Sequence, residues 1–294
     1  MKITTSSYKK QTQIWGILFL FPAVLFFVFF KYGPMLWAMG LSFTSYDMVT
    51  PPKFVGIYNY IDLIQDPIFL KTFNNTFVYI FGSIIGITVV GLGLALIINL
   101  NIVGSRFFMT GMFLTNLIPV IACCLIWKHM FHPQGLVNQI LSYVGIAHIN
   151  WLTDSIMAML AIIIVTIWRF APYFMIVYLA ALLAIPKEYY EAVSIDGAGI
   201  FSCFRHITLP QIAPIIFFVI VVSGLLSARI FLMPYIITKG GPGGNTRVLS
   251  MLIYETGFEY LKMGRAAAIS VILFFILLLF TIIQMRIFLK SEER

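Results

Sequence analysis

The side chains that most often carry out catalysis are scarce and scattered in this sequence. Its three cysteines are Cys123, Cys124 and Cys203, and none has a histidine or cysteine neighbour at the spacing of a zinc site. No nucleophile is clustered with a general base. The phosphate-binding pattern G-x-x-x-x-G-K-[ST] is absent, so the chain does not hydrolyse ATP in the P-loop manner. The sequence predicts that the chain is not an enzyme and binds no metal or cofactor itself.

A group of charged residues follows Pro186 in the long segment between the fourth and fifth apolar runs. The segment 186–210 begins with this proline, continues with good helix formers, and reaches Gly197 and Gly199, which is typical of a short helix with a glycine stop. A second short stretch ends at Pro210. The charged residues of the segment are Lys187, Glu188, Glu191, Asp196 and Arg205. A polar helix, turn and helix of this length predicts contact with a soluble partner.

Arg169 lies in the middle of an apolar run, beside Trp168 and near Tyr173. An arginine in the bilayer interior is costly, about 2.5–3.5 kcal/mol, so it faces the protein or a wet cavity. The sequence allows two roles for Arg169 equally well. The three side chains can line a transport path, where aromatic rings stack on sugars and the guanidinium binds hydroxyls, or Arg169 can form an ion pair or bind carbonyls freed by Pro172.

Four further polar residues lie in apolar runs. Asn116 can bind a solute hydroxyl or satisfy the backbone opened by Pro119. Ser223, Ser227 and Arg229 are further candidates for the substrate path. The two serines are four residues apart, which favours helix packing over ligand binding. Arg229 can extend to the outer surface.

The composition shows which elements must position these residues. Apolar residues make up 61% of the 294 residues and charged residues 10%, which is too little charge to cover a soluble globule. Runs long enough to cross the bilayer predict an all-α integral membrane protein with six transmembrane helices. The predicted spans are 14–43, 77–98, 107–127, 155–183, 215–237 and 266–285.

The predicted organisation is a single transmembrane domain, 14–290, between short tails at 1–13 and 291–294. Six spans place both termini on one side, and the basic residues of the tails favour the cytoplasm. Over all loops, lysine and arginine are almost evenly divided between the two sides. The net charge of +8 is scattered, which excludes a nucleic-acid patch.

The segment 186–210 resembles the EAA loop in the membrane subunits of bacterial ABC importers. The family motif is E-A-A, three residues, G, nine residues, then I-x-L-P. This chain carries Glu191, Ala192, Gly197 and the sequence ITLP that ends with Leu209 and Pro210, and it departs only at the third motif position.

The residue at the third motif position is Val193, where the family motif has alanine. Further landmarks are similar to the sugar-type permeases of the family: FTSYD at 43–47, FVG at 54–56 and TKGGP at 238–242. Members commonly have an aspartate shortly before the last element, where this chain has FLMP at 231–234.

The resemblance implies a coupling helix that docks in a cleft of a cytoplasmic ATPase. The residues it assigns to coupling are Glu188, Glu191, Ala192, Asp196, Gly197, Arg205, Leu209 and Pro210. ATP and Mg²⁺ would be used by two ATPase subunits, and a second, homologous permease would complete the path as a heterodimer. An extracytoplasmic binding protein would deliver the solute, and the complex would lie in the bacterial inner membrane.

The expected solute is a sugar, most of all an oligosaccharide. The alternatives are glycerol phosphate or another small polar solute. A secondary transporter working alone would need intramembrane acidic residues for ion coupling, and no aspartate or glutamate lies inside a predicted span. It would also leave the EAA-like segment unexplained.

Overall fold

The computed structural model describes residues 5–195 and 199–292, which are almost entirely helical. Its helices are α1 (Thr5–Phe27), α2 (Gly33–Leu41), α3 (Tyr58–Gln65), α4 (Pro67–Asn99), α5 (Ser105–Leu114), α6 (Val120–Met130), α7 (Leu136–Tyr143), α8 (Ser155–Leu183), α9 (Lys187–Ile195), α10 (Ile200–Cys203), α11 (Leu209–Ala228), α12 (Leu232–Ile237), α13 (Leu249–Tyr254) and α14 (Met263–Glu292). Strands β1 (Thr44–Ser45) and β2 (Lys53–Phe54) pair antiparallel.

In the described part of the chain, five helical segments are long and apolar enough to span a membrane, and a bent pair brings the number to six. The six predicted runs therefore correspond to helices, although their limits differ. The first span is continuous through the Gly33–Pro34 step, where one π-helical turn joins α1 to α2. Helix α8 has the predicted limits, and α14 extends beyond 266–285 at both ends.

Helix α4 begins ten residues before the predicted span 77–98. The Asp66 side chain caps it by accepting a hydrogen bond from the Ile68 N–H, and Pro67 occupies the first turn, where its missing N–H costs nothing. The early turns are polar, so hydropathy alone did not include them.

The predicted span 107–127 is interrupted rather than continuous. Helix α5 and the 3₁₀ turn Thr115–Leu117 end before Pro119, and α6 leaves at an angle of 105°. Ile118 has the extended backbone (φ −68°, ψ 128°) that a following proline favours. The bend thus follows from Pro119.

The predicted span 215–237 is also different in the structure. Helix α11 begins at Leu209, includes Pro214, and ends at Ala228, while residues 232–237 form the separate α12. Pro234 lies in the first turn of α12, where proline is tolerated, whereas it would disrupt a continuous helix.

The chain divides into two compact units, and the first comprises 1–63 and 254–272. In it, Asn59 donates hydrogen bonds to the carbonyls of Ser42 and Thr44, which hold β1. A side chain at Gly264 would run into the Thr44 carbonyl, so this close approach requires glycine. In the β1–β2 turn, hydrogen bonds from Thr50 lower the pKa of the exposed Asp47 carboxyl.

The second unit, 64–253 and 273–294, contains the main helix packing. Helix α4 packs along α8, with Gly82 and Gly86 against the side chains of Ile163 and Ile167. This G-x-x-x-G pair therefore serves packing within the chain.

Candidate functional site

The EAA-like segment forms α9, α10 and a π-helical turn, Phe204–Thr208, that leads into α11. The hydroxyls of Tyr190 on α9 and Thr208 are 3.0 Å apart and hydrogen bonded. Thr208 is buried. This bond links α9 directly to the base of α11.

The predicted coupling residues lie mainly on the surface of this segment. Glu188, in the first turn of α9, and Glu191 are exposed. Arg205 is exposed in the π-helical turn. Leu209 and Pro210, also exposed, form the first turn of α11.

Three predicted coupling residues have no described side-chain environment. Ala192 lies on α9, but its side chain is outside the described part of the structure. Asp196 and Gly197 lie outside the described residues altogether.

Two apolar side chains, Ile200 and Phe201, add to this surface, and the sequence analysis did not single them out. They are 92% and 74% exposed at the start of α10. Large apolar side chains exposed in an otherwise polar segment are one mark of a protein-binding surface. The signal available in the sequence was their position directly after Gly199 in a polar segment.

The Arg169 side chain binds a backbone carbonyl at the break in the third span. Its Nη1 donates to the Ile118 carbonyl at 2.9 Å, and the residue is buried. Because Pro119 interrupts the helix, this carbonyl has lost its intrahelical partner. Arg169 therefore satisfies a carbonyl freed by a proline, but the proline is Pro119 on another helix rather than Pro172.

Asn116 lies in the 3₁₀ turn of the same break. Its amide nitrogen is buried and makes no hydrogen bond among the described residues. The structure thus brings Asn116 and the guanidinium of Arg169 to one discontinuity in the membrane-spanning region, where the amide donor of Asn116 is buried and unsatisfied among the described residues.

The two aromatic candidates on α8 have different surroundings. Trp168 packs in the core, with its ring edge-on to Trp127 at 5.4 Å between centroids. Tyr173 is 47% exposed and contacts Phe174 by its ring. Of these two, Tyr173 has the ring surface that a sugar could reach.

The candidates on α11 are placed for packing. Ser223 and Ser227 are buried, and Gly224 between them lies against Phe280 and Ile84. The Ser227 hydroxyl makes no hydrogen bond within the described part. Arg229 follows the last residue of α11 and is exposed, so the structure does not bring these side chains to the break.

The glycine-rich loop 240–244 is held firmly by α4. Lys71 Nζ donates to the Gly243 carbonyl at 2.9 Å, and Asn75 Nδ2 donates to the carbonyls of Gly244 and Arg247 at 2.8 and 3.2 Å. Sequence reasoning missed these α4 contacts, because they join residues about 170 positions apart.

The same loop is closed from within by Thr246. Its hydroxyl donates to the Gly241 carbonyl at 2.8 Å and lies 2.6 Å from the Thr238 hydroxyl. Gly240, Gly243 and Gly244 have positive φ, which glycine adopts without strain. The loop conformation is therefore fixed by contacts within the chain.

Comparisons with known proteins identify the family of the chain. The family described as the binding-protein-dependent transport system inner membrane component matches residues 87–290. The probable ABC transporter permease protein YurN of Bacillus subtilis is 35% identical over 97% of this chain and 99% of its own. The trehalose/maltose transport system permease protein MalF of Thermococcus litoralis is 32% identical over 96% of each chain.

A solved structure shares the fold. A chain of a bacterial alginate ABC transporter, in complex with an alginate pentasaccharide-bound periplasmic protein, aligns with a TM-score of 0.80 and 23% identity over 96% of both chains. One family assignment accounts for the shared fold, for the helix at the EAA-like motif and for the relatives that align over nearly the whole chain. The chain belongs to the family of inner membrane components of binding-protein-dependent ABC transport systems.

Proposed function

We propose that the chain forms half of the translocation path of an ATP-driven importer for an oligosaccharide. The observation that carries this proposal is the exposed α9 and α10 of the EAA-like segment, with the Tyr190 hydroxyl on α9 hydrogen bonded to Thr208 at the base of α11. ATP-driven closure of two ATPases would move α9, and the hydrogen bond would transmit that movement to α11.

The complete importer in this proposal has four other subunits and lies in the bacterial inner membrane. A second homologous permease supplies the other half of the path, and two ATPases bind ATP and Mg²⁺ on the cytoplasmic side. A binding protein delivers the solute to the other face. The loop 240–244 is the docking surface we assign to it, because α4 holds its backbone in place. Both chain termini are cytoplasmic.

The saccharide assignment has two supports. The relative MalF is named for trehalose and maltose. The second support is residue chemistry: Tyr173 on α8 exposes a ring on which a sugar could stack, and Asn116 at the break in the third span has an amide donor that is unsatisfied among the described residues.

The test is ATP hydrolysis by the complex in vesicles, measured with its binding protein and a panel of solutes. We expect neutral oligosaccharides to stimulate hydrolysis, and glycerol phosphate or amino acids to leave it at the basal rate. Stimulation by glycerol phosphate and by no saccharide would overturn the solute class while keeping the importer assignment.

A further inference from the structure

Helix α7 belongs to an uncharged connection between the third and fourth spans. No Asp, Glu, Lys or Arg occurs in residues 129–153. The helix is fixed by the buried Asn138, whose Nδ2 donates to the carbonyls of Pro133 and Ile149 at 3.1 and 3.0 Å. Its Oδ1 accepts from the Ile149 N–H and the Trp151 Nε1–H, both at 3.2 Å. Asn138 thus holds α7 against the residues that lead into α8.

This attachment sets the height of α7 relative to the bilayer. Helix α8 begins at Ser155, only four residues after Trp151, and its first apolar residue, Ile156, is exposed. With 29 residues, α8 is about 43 Å long, which exceeds the roughly 30 Å hydrocarbon core. A helix of this length extends beyond the hydrocarbon core, which allows the start of α8, and α7 attached to it, to lie in the headgroup region.

With a turn of about 100° per residue, the residues of α7 fall on three sides that differ in polarity and burial. The side facing the protein carries Val137 and Asn138. A second side, exposed and polar, carries Gln139 and Ser142, which bond to nearby carbonyls. The third side is exposed and apolar. It consists of Leu136 (52% exposed), Ile140 (53%) and Tyr143 (91%).

A helix at a membrane surface meets these three environments, namely protein, water and lipid. A soluble partner would be expected to match charges at the rim of the contact, and this connection offers none. Tyrosine is enriched at membrane interfaces, because its ring is apolar and its hydroxyl binds water. The contact favoured for the apolar side is lipid. Three features support it: the position of α7 next to the start of α8, the absence of charged residues, and the arrangement of its three sides.

We propose that α7 is an interfacial helix whose Leu136, Ile140 and Tyr143 side is inserted into lipid at the surface where α8 begins. Asn138 connects this anchor to the chain, so the bilayer fixes the depth of the connection that follows the broken third span. The inference does not depend on the transported solute.

The test is the collision of a spin label with oxygen and with a water-soluble nickel chelate. In the full chain, Cys123 and Cys124 are replaced by Ala and Cys203 by Ser, and a single cysteine is introduced by Ile140→Cys or by the matched control Ser142→Cys. The labelled complex is reconstituted in phosphatidylcholine and phosphatidylglycerol vesicles. We expect the ratio of oxygen to nickel collisions to be several-fold higher at position 140 than at 142.

Equal nickel access at the two positions would overturn the proposal. So would a label at 140 that is immobilised and shielded from both reagents, because another protein chain would then cover it. A second measurement keeps the native cysteines and compares Ile140→Trp with Ser142→Trp. Brominated lipid should quench the added fluorescence only for Ile140→Trp, and equal quenching would contradict lipid insertion.

Discussion

A single guanidinium stabilises the interrupted span. Arg169 was predicted to face the protein or a cavity, and it binds the Ile118 carbonyl next to Pro119. The sequence could not identify this acceptor, since it lies on another helix 51 residues away. This contact supports a structural role for Arg169, and the neighbouring Asn116 amide nitrogen is buried without a hydrogen-bond partner among the described residues.

Replacing Arg169 by Met should destabilise the break, because the Ile118 carbonyl would lose its donor in a buried setting. An unsatisfied buried group costs about 1–3 kcal/mol, which corresponds to a fall on the order of 5 °C in the thermal midpoint. The measurement is thermal unfolding of the detergent-solubilised chain, with the exposed Arg229→Met as control. Equal midpoints for the two variants would argue against the structural role.

Asn75 is the residue on which the position of the loop 240–244 most depends. In Asn75→Ala, the Gly244 and Arg247 carbonyls lose a donor, so amide hydrogen exchange at 240–249 should increase several-fold. Its neighbour Asn74 is exposed, which makes Asn74→Ala a matched control. Unchanged exchange in Asn75→Ala would show that the loop is held by other contacts.

At the scale of elements, the uninterrupted apolar runs were the easiest to predict. The limits of α8 agree with the sequence because Asp154 caps its start through hydrogen bonds from Ile156 and Met157. The third and fifth runs are equally apolar, but Pro119 and Pro234 divide them into separate helices. Hydropathy averages over such prolines, so composition predicts the number of runs better than their continuity.

The close packing of α4 on α8 gives a prediction of its own. An isoleucine at Gly86 would overlap Ile167, whereas Gly93 on the same helix has open space around it. We expect Gly86→Ile to cost about 1–3 kcal/mol through overpacking and Gly93→Ile to have little effect. Thermal unfolding of both variants in detergent is the measurement. Loss of stability in Gly93→Ile alone would contradict the packing described.

At the scale of the whole molecule, the chain is an inner membrane component of a binding-protein-dependent ABC transport system. The EAA-like motif and the family landmarks indicated this from the sequence, since motif spacing survives where overall identity is low. The exposed Ile200 and Phe201 became evident only in three dimensions. A partner surface is harder to predict because burial in an assembly leaves no mark on local periodicity.

Replacing Gly197 by Trp should block docking of the ATPase at the coupling loop. We expect ATPase co-purification and uptake to fall at least tenfold, with membrane insertion unchanged. Gly93→Trp, in a span with open space around the glycine, serves as the control for the added bulk. Normal uptake by Gly197→Trp would count heavily against the coupling role.

The central claim is that the chain is a subunit of an ATP-driven importer, and the most direct test is to measure which energy source drives uptake. The complex is reconstituted in vesicles, and uptake of the stimulating saccharide is measured with ATP supplied on the coupling side or with an imposed proton gradient. We predict uptake that requires ATP and the loaded binding protein and is insensitive to collapse of the gradient. Uptake driven by the gradient without ATP would contradict the assignment as an ATP-driven importer subunit.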